Sequence, residues 1–244
     1  MALTLKQTIY KRKSIRSYET TPVDQQTLLS IQDFAENKLK QLDDEKPLKT
    51  VARLTTATSV KSMARWKSPH YFVIFADTSD SDYEMKLGFM YQQLDLYIQS
   101  LGVGTCWLGS AKLAPNVCGE DGLKYYITLA FGKAKGEMYR FTDDFKRKER
   151  KAISDVVDSR LEPARLAPSS NNGQPWYFLH DGKFMDVYSS GGGLMSKVTG
   201  DFSNFDIGCA LAHMYVDNPE TFRWVKIKEP KTVKGHKYMG TFRM

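Results

Sequence analysis

Two short basic runs, Lys11-Arg12-Lys13-Ser14-Ile15-Arg16 and Lys146-Arg147-Lys148-Glu149-Arg150-Lys151, each precede a similar succession of apolar segments. A chain written this way must fold into something that can be built twice, so a repeat is sought before a fold class. Behind the first run, Thr21-Pro22-Val23-Asp24 offers a hydroxyl N-cap, a proline at the first helical position and an acid in the first turn. Leu28, Ile31, Ala35 and Leu42 then recur near helical period. Tyr71 to Ala76 is short and rich in aromatic and β-branched residues, which suits a buried strand. Leu87, Met90, Leu94, Tyr97, Ile98 and Leu101 form a long apolar stripe closed by Gly102 and Gly104, and Tyr125 to Phe131 reads as a second strand.

The other half keeps this order. Leu161 to Leu166 is helical, Trp176–His180 and Phe184–Tyr188 form a hairpin across Asp181-Gly182, Asp206 to Tyr215 is helical, and Arg223 to Lys228 alternates like a strand. An offset of 132 sets Ala167 on Ala35, and one of 117 sets Trp224 on Trp107, so the copies differ by a gap of 15 residues. The pattern fits a duplicated α+β fold of two pseudo-repeats, or one α+β domain whose helices and strands alternate.

With 41% hydrophobic and 26% charged residues among 244, the chain can bury a sizeable core. No stretch reaches the roughly 18 to 20 apolar residues of a membrane span, and Met1 to Arg16 lacks a signal-peptide core, so a cytoplasmic protein with no membrane partner is expected. Cys106, Cys118 and Cys209 are odd in number and share no Cys-x-x-Cys spacing, which disfavours disulfides and zinc and favours buried thiols. Four scattered histidines give no metal-ligand spacing. Gly191-Gly192-Gly193 opens no helix, so a nucleotide-phosphate loop is not indicated. A net charge of +7 admits an anionic partner but does not choose one. Nucleic-acid binding by the basic runs with Tyr10 and Tyr18 would use that charge and leave the next feature without a role.

That feature is Leu166-Ala167-Pro168-Ser169-Ser170-Asn171-Asn172-Gly173-Gln174-Pro175-Trp176-Tyr177-Phe178, which concentrates hydroxyls and amides in one turn between a helix and a strand. Many neutral donors and acceptors with little charge suit the polar edge of a flat heterocycle. On composition alone the same residues also make an ordinary polar turn.

The string resembles the flavin-contacting signature of the FMN-dependent nitroreductases, Ala-Pro-Ser-x-x-Asn-x-Gln-Pro-Trp-x-Phe, at every fixed position from Ala167 to Phe178. Arg12, Ser14 and Arg16 match that family's Arg-x-Ser-x-Arg segment, and Leu101 to Gly109 match its Leu-Gly-x-Gly-Thr-x-Trp-Leu-Gly helix end. Here Arg16 and Ala167 stand 151 residues apart, far more than in ordinary members. Since those members build each FMN site between two subunits, the resemblance implies a fused pseudo-dimer, with residues 1–145 carrying the phosphate segment and 146–244 the flavin loop. The first half's loop position has become Glu36-Asn37-Lys38-Leu39 and the second half's basic run Lys146-Arg147-Lys148, so the mirror-related position is expected to set Lys38 and Leu39 opposite Lys146 and Lys148.

The resemblance further implies a nitroreductase-like fold with helices packed on mainly antiparallel sheets, and an NADH- or NADPH-dependent reductase of a nitroaromatic, quinone or similar acceptor. Arg12, Ser14 and Arg16 would hold the FMN phosphate, with Arg150 or Lys151 adding to it. Pro168, Ser169, Ser170 and Asn172 would edge the ring and ribityl chain, and Gln174 and Trp176 would orient the loop. The backbone at Leu108 and Gly109 would reach flavin N5, and Trp107 would either wall the pocket or belong to the core. A monomer carrying one FMN is expected, and a flavin-binding protein with decayed activity is the alternative.

Overall fold

The computed structural model describes residues 3–191, 200–225 and 229–244. In the first half, α1 (Leu5–Ile9) and α2 (Gln25–Asn37) precede β1 (Thr50–Thr56), β2 (Val60–Lys61), β3 (His70–Ala76), the long α3 (Tyr83–Ser100), β4 (Gly104–Leu108), β5 (Lys112–Leu113) and β6 (Lys124–Gly132). In the second, α4 (Glu162–Leu166) is followed by β7 (Trp176–Asp181), β8 (Phe184–Ser189), the long α5 (Ser203–Asp217), β9 (Arg223–Val225) and β10 (Lys237–Arg243).

The two main sheets are antiparallel and are ordered β1-β3-β6-β4 and β7-β8-β10-β9. Each half therefore runs strand, strand, long helix, outer strand, inner strand, and the α+β fold is two copies of one unit. Strand β3 is buried on both faces: Phe72, Ile74 and Ala76 join one apolar cluster, while Tyr71, Val73 and Phe75 join another. That is the period of two expected when a strand lies between layers.

Helices α3 and α5 cross at the centre through Gly88 and Gly208. A Cβ on Gly88 would fall 2.0 Å from the Phe205 carbonyl oxygen, and one on Gly208 2.0 Å from that of Met85. Each helix also fills the other half's core. Met85 and Phe89 of α3 pack with Trp176, Phe178 and Val187, while Phe205 and Cys209 of α5 pack with Phe72, Ile74 and Leu129. Burying one such large apolar side chain stabilises by roughly 1.5–3 kcal/mol, so the exchange ties the halves into one body.

Several local expectations are corrected. Asp24, not Thr21, caps α2, its carboxylate accepting the Thr27 N–H at 2.9 Å. The Val23 N–H is meanwhile taken by His70 Nε2 at 3.1 Å, so the chain is still anchored to β3 where a helix was expected to begin. Helix α2 ends at Asn37, and Leu42 packs instead in the second half's core. Gly102, at φ +77°, ends α3, whereas Gly104 opens β4. Of the strand expected over 223–228, Arg223–Val225 is formed, and Lys226 to Lys228 lie outside the described residues, as do Gly192 and Gly193. Cys106 and Cys209 are buried but Cys118 is exposed. Among the described residues no helix is long and apolar enough to cross a membrane.

Candidate active site

The segment Ser14–Arg16 reaches the site by extending the first sheet. Ser14 bridges Thr105 in parallel beyond β4, and the Ile15 N–H donates to the Thr105 carbonyl at 2.8 Å. Gly104 permits this approach, because a Cβ there would lie 2.6 Å from Ile15 Cγ1. The loop after α4 comes from the opposite side. Asn171, Asn172 and Gln174 adopt φ of 50°, 56° and 50°, a region that Asn tolerates better than most residues. Ser169 Oγ accepts the Gln174 N–H at 3.0 Å, and Gln174 Oε1 accepts the Lys148 N–H at 2.7 Å, which fix the loop from both sides.

Between these pieces lies a cleft of about 260 Å³. The first half contributes Ser14, Arg16 and the β4 stretch Cys106 to Gly109, and the second contributes Pro168 to Asn171 with Phe202, Phe205, Asp206 and Cys209. Of the residues expected from sequence, Ser14, Arg16, Trp107, Leu108, Gly109, Pro168, Ser169 and Ser170 converge on it. Trp107 is thus a wall, and its ring edge meets Phe205 with centroids 5.0 Å apart.

The other four are placed differently. Arg12 is 1% exposed and lies behind the cleft, its Nε 3.0 Å from Asp95 Oδ2 although the N–H is not aimed to form a hydrogen bond. Arg150 does not border the cleft and pairs with Glu162 at 3.0 Å. Asn172 turns away, accepting from Arg147 Nη1 at 2.6 Å and donating to the Lys146 carbonyl at 2.9 Å, and Asn171 takes its place on the lining. Gln174 is buried beneath the loop. The run Lys146–Lys148 therefore braces the Ser169–Gln174 loop instead of standing at a mirror position. Arg147 also lies close enough to Arg12, Arg140 and Arg165 that, after burial, their charges help pull its guanidinium down to about 9.

A buried polar network supports the β4 wall. Gln92 Oε1 accepts Trp107 Nε1–H at 3.1 Å, and Gln92 Nε2 donates to Asp95 Oδ2 at 2.7 Å. Asp95 also accepts from the Thr105 hydroxyl, and Gln99 donates to that same hydroxyl oxygen at 2.6 Å. His213, on α5, sits 3.2 Å from Gln92 Nε2 and 3.0 Å from the Pro163 carbonyl. Burial holds His213 neutral, lowering its pKa to about 3 with help from the Arg12 charge.

Sequence reasoning missed Asp206, Cys106, Asn171, Phe202, Phe205 and Cys209 as lining. Asp206 and Cys209 read only as parts of a helical stripe, and an aspartate within an otherwise apolar stretch was the available signal. Asp206 is buried and accepts the Ser170 N–H with both oxygens, at 3.0 and 2.9 Å. Burial pushes its pKa up to about 8, the Asp201 charge adds to this and the Ser170 N–H opposes it. Burial likewise raises the Cys106 and Cys209 thiols.

A second cleft, of about 680 Å³, occupies the repeat-related place. Trp224 and Val225 of β9 stand where Trp107 and Leu108 do, Phe89 of α3 takes the place of Cys209, and Lys40 to Glu45 follow α2 as Pro168 to Asn171 follow α4. The expected mirror residues Lys38 and Leu39 do not border it.

The family described as "Putative TM nitroreductase" matches residues 4–218. The fold is similar to that of a "putative nitroreductase" from Thermotoga maritima, with a TM-score of 0.66 at 20% identity over 99% of this chain and 93% of that one. A "Putative NADH Oxidase" from Clostridium acetobutylicum aligns over 60% of this chain and 96% of its own, at 17% identity and a TM-score of 0.46. An "FMN-dependent Nitroreductase" from Clostridium difficile aligns over 59% and 97%, at 13% identity and a TM-score of 0.45. No curated protein matches the chain.

Proposed function

The chain belongs to this nitroreductase family of oxidoreductases, and from that premise we propose that it binds one FMN and passes electrons from NADH or NADPH to a small organic acceptor of the nitroaromatic or quinone kind. The observation that carries this reading is the meeting, in one cleft, of the Ser14–Arg16 segment of the first half with the Pro168–Asn171 loop of the second. The residues fit the group. Arg16 forms no ion pair among the described residues and is available to a phosphate, with the Ser14 hydroxyl beside it. Charge-assisted bonds of this kind contribute about 1.5–3 kcal/mol each. Arg12 acts behind them, its Nη2 lying 3.4 Å from Ser14 Oγ, so it orients the hydroxyl.

The neutral groups of Ser169, Ser170 and Asn171 suit the polar edge of a flat ring, and Trp107, Phe202 and Phe205 supply its apolar surroundings. The Leu108–Gly109 backbone suits stabilisation of negative charge that builds on the ring. Bound FMN would supply the two-electron chemistry, and the protein orientation and electrostatics. On this reading residues 1–145 and 146–244 are the two halves of a monomeric pseudo-dimer. It already buries between α3 and α5 the surface that two subunits would otherwise share.

Purified chain mixed with FMN should show flavin absorption at one equivalent per chain, bleach with NADH or NADPH and recover with a quinone. A chain that stays colourless after gel filtration with FMN overturns the reading.

A further inference from the structure

We propose that Asp206 is held in the cleft as the neutral carboxylic acid and delivers the proton that completes reduction of the acceptor; this rests on the oxidoreductase reading above. Asp206 stands in the first turn of α5 and borders the cleft beside Ser170. One N–H, that of Ser170, serves both of its oxygens, at 3.0 and 2.9 Å. Among the described residues no Lys, Arg or His forms an ion pair with it. A buried carboxylate with one donor and no cation among the described residues is costly, and the group relieves that cost by keeping its proton. Its place in the first turn and the Ser170 N–H both favour the anion, yet burial outweighs them and raises the pKa to about 8.

The charged and titratable groups around it point the same way. Asp201, on the loop before α5, is negative and adds to the rise. Glu84 of α3, bound to the Asn204 amide at 2.8 Å, brings another carboxylate to the same end of the helix. From β6 the Tyr126 phenol, from β4 the Cys106 thiol and from α5 the Cys209 thiol are all pushed upward by burial, so each keeps its proton where Asp206 titrates. Arg16, the cation of the cleft, forms no ion pair with Asp206. The acid O–H is left as a donor to whatever fills the cleft. A neutral carboxylic acid in an apolar site is an established way to donate to a developing oxyanion at neutral pH.

The balance requires such a donor. NADH or NADPH gives up a hydride, two electrons and one proton, whereas a quinone reduced to the hydroquinone takes two electrons and two protons. The second proton leaves the Asp206 Oδ–H as the new O–H bond forms on the acceptor. Solvent at the open mouth of the cleft then restores the acid.

The test uses the full-length chain and its Asp206→Asn and Asp206→Glu variants. Infrared difference spectra of parent minus Asp206→Asn, recorded without cofactor, should show a protonated carboxyl at pH 6.5 that is lost as pH rises through about 8. With FMN, the flavin content and bleaching by NADH of parent and Asn variant are measured first, so that turnover is compared per bound, reducible flavin. The Asn variant's quinone turnover should fall by about 10²–10⁴-fold, the contribution typical of a general acid. The parent's alkaline fall in kcat should vanish in the Asn variant and return with partial activity in Asp206→Glu. An ionised carboxylate at pH 6.5, or parental turnover in the Asn variant, overturns the proposal. A chain that takes up no flavin defeats the oxidoreductase reading separately, and the infrared titration still decides whether Asp206 carries the proton.

Discussion

The two clefts share a backbone plan and differ in what that plan presents. Around the first, α3 carries Gln92, Asp95 and Gln99 behind the β4 wall, and the facing loop offers serines and asparagine. Counting from the Gly88–Gly208 crossing, the positions on α5 that correspond to Gln92 and Asp95 are Ala212 and Tyr215, so the packing behind Trp224 is apolar. The facing loop of the second cleft brings Asp43, Asp44 and Glu45, three carboxylates where the first cleft presents neutral serine and asparagine groups. The two halves thus share a frame and differ in polarity, and a buried polar network is costly unless its groups are satisfied, as those of Gln92, Asp95 and Gln99 are behind the first cleft.

The largest expected effect tests that network. Asp95→Ala leaves Arg12 buried without its counter-charge and should cost about 3–5 kcal/mol of stability in urea unfolding. A loss under about 1 kcal/mol would show that the polar support of the first cleft is dispensable, as it is behind the second. Next in size, Arg16→Ala should weaken FMN binding by roughly 10- to 100-fold, the loss of about 1.5–3 kcal/mol. Arg223→Ala, in the second cleft, should leave the dissociation constant unchanged, and equal losses from both would erase the distinction between the clefts.

Gly88→Ala and Gly208→Ala should each destabilise by about 1–3 kcal/mol, because each added methyl meets the other helix's backbone. Similar values for the two would sharpen the view of a symmetric crossing, and one neutral substitution would break it.

The smallest effect is a tilt of stability with pH. His213, at about 3 in the fold against its ordinary 6.5, withdraws stability as pH falls below 6.5. Asp206, at about 8 against 3.8, withdraws it as pH rises from 3.8 towards 8. Between about pH 4 and 6.5 the two slopes oppose each other. Above 6.5 the Asp206 slope stands alone, at no more than about 1.4 kcal/mol per pH unit. Asp206→Asn should flatten that alkaline fall and uncover a rise with pH on the acid side, read by thermal unfolding in matched buffers.

The order of elements was legible in the sequence because apolar residues recur at helical spacing through α3 and α5 and run without a break from Tyr71 to Ala76 in β3, which is buried on both faces. The Ala167–Phe178 string and the Ser14–Arg16 segment were legible as chemistry for the same local reason. Strands β1 and β10 were not recognised. Arg53 interrupts the first, and Gly240, with a shift of register between Tyr238 and Gly240, interrupts the second.

By itself the sequence determined the succession of α2, β3, α3 and β6 and of α4, β7, β8, α5 and the start of β9, and the two segments that converge on the first cleft, since these depend on local propensity and the spacing of apolar residues. Only the tertiary structure decided the rest. Positive φ through residues 171 and 172 turned Asn172 towards Arg147 and put Asn171 on the lining. Glu162 drew Arg150 aside, Asp95 held Arg12 beneath the surface, and the crossing of α5 over α3 delivered Asp206 and Cys209 to a cleft begun nearly 200 residues earlier. A local pattern specifies that a side chain is buried, whereas the partner it meets there depends on helix-to-helix contact between distant segments, which no window of sequence contains.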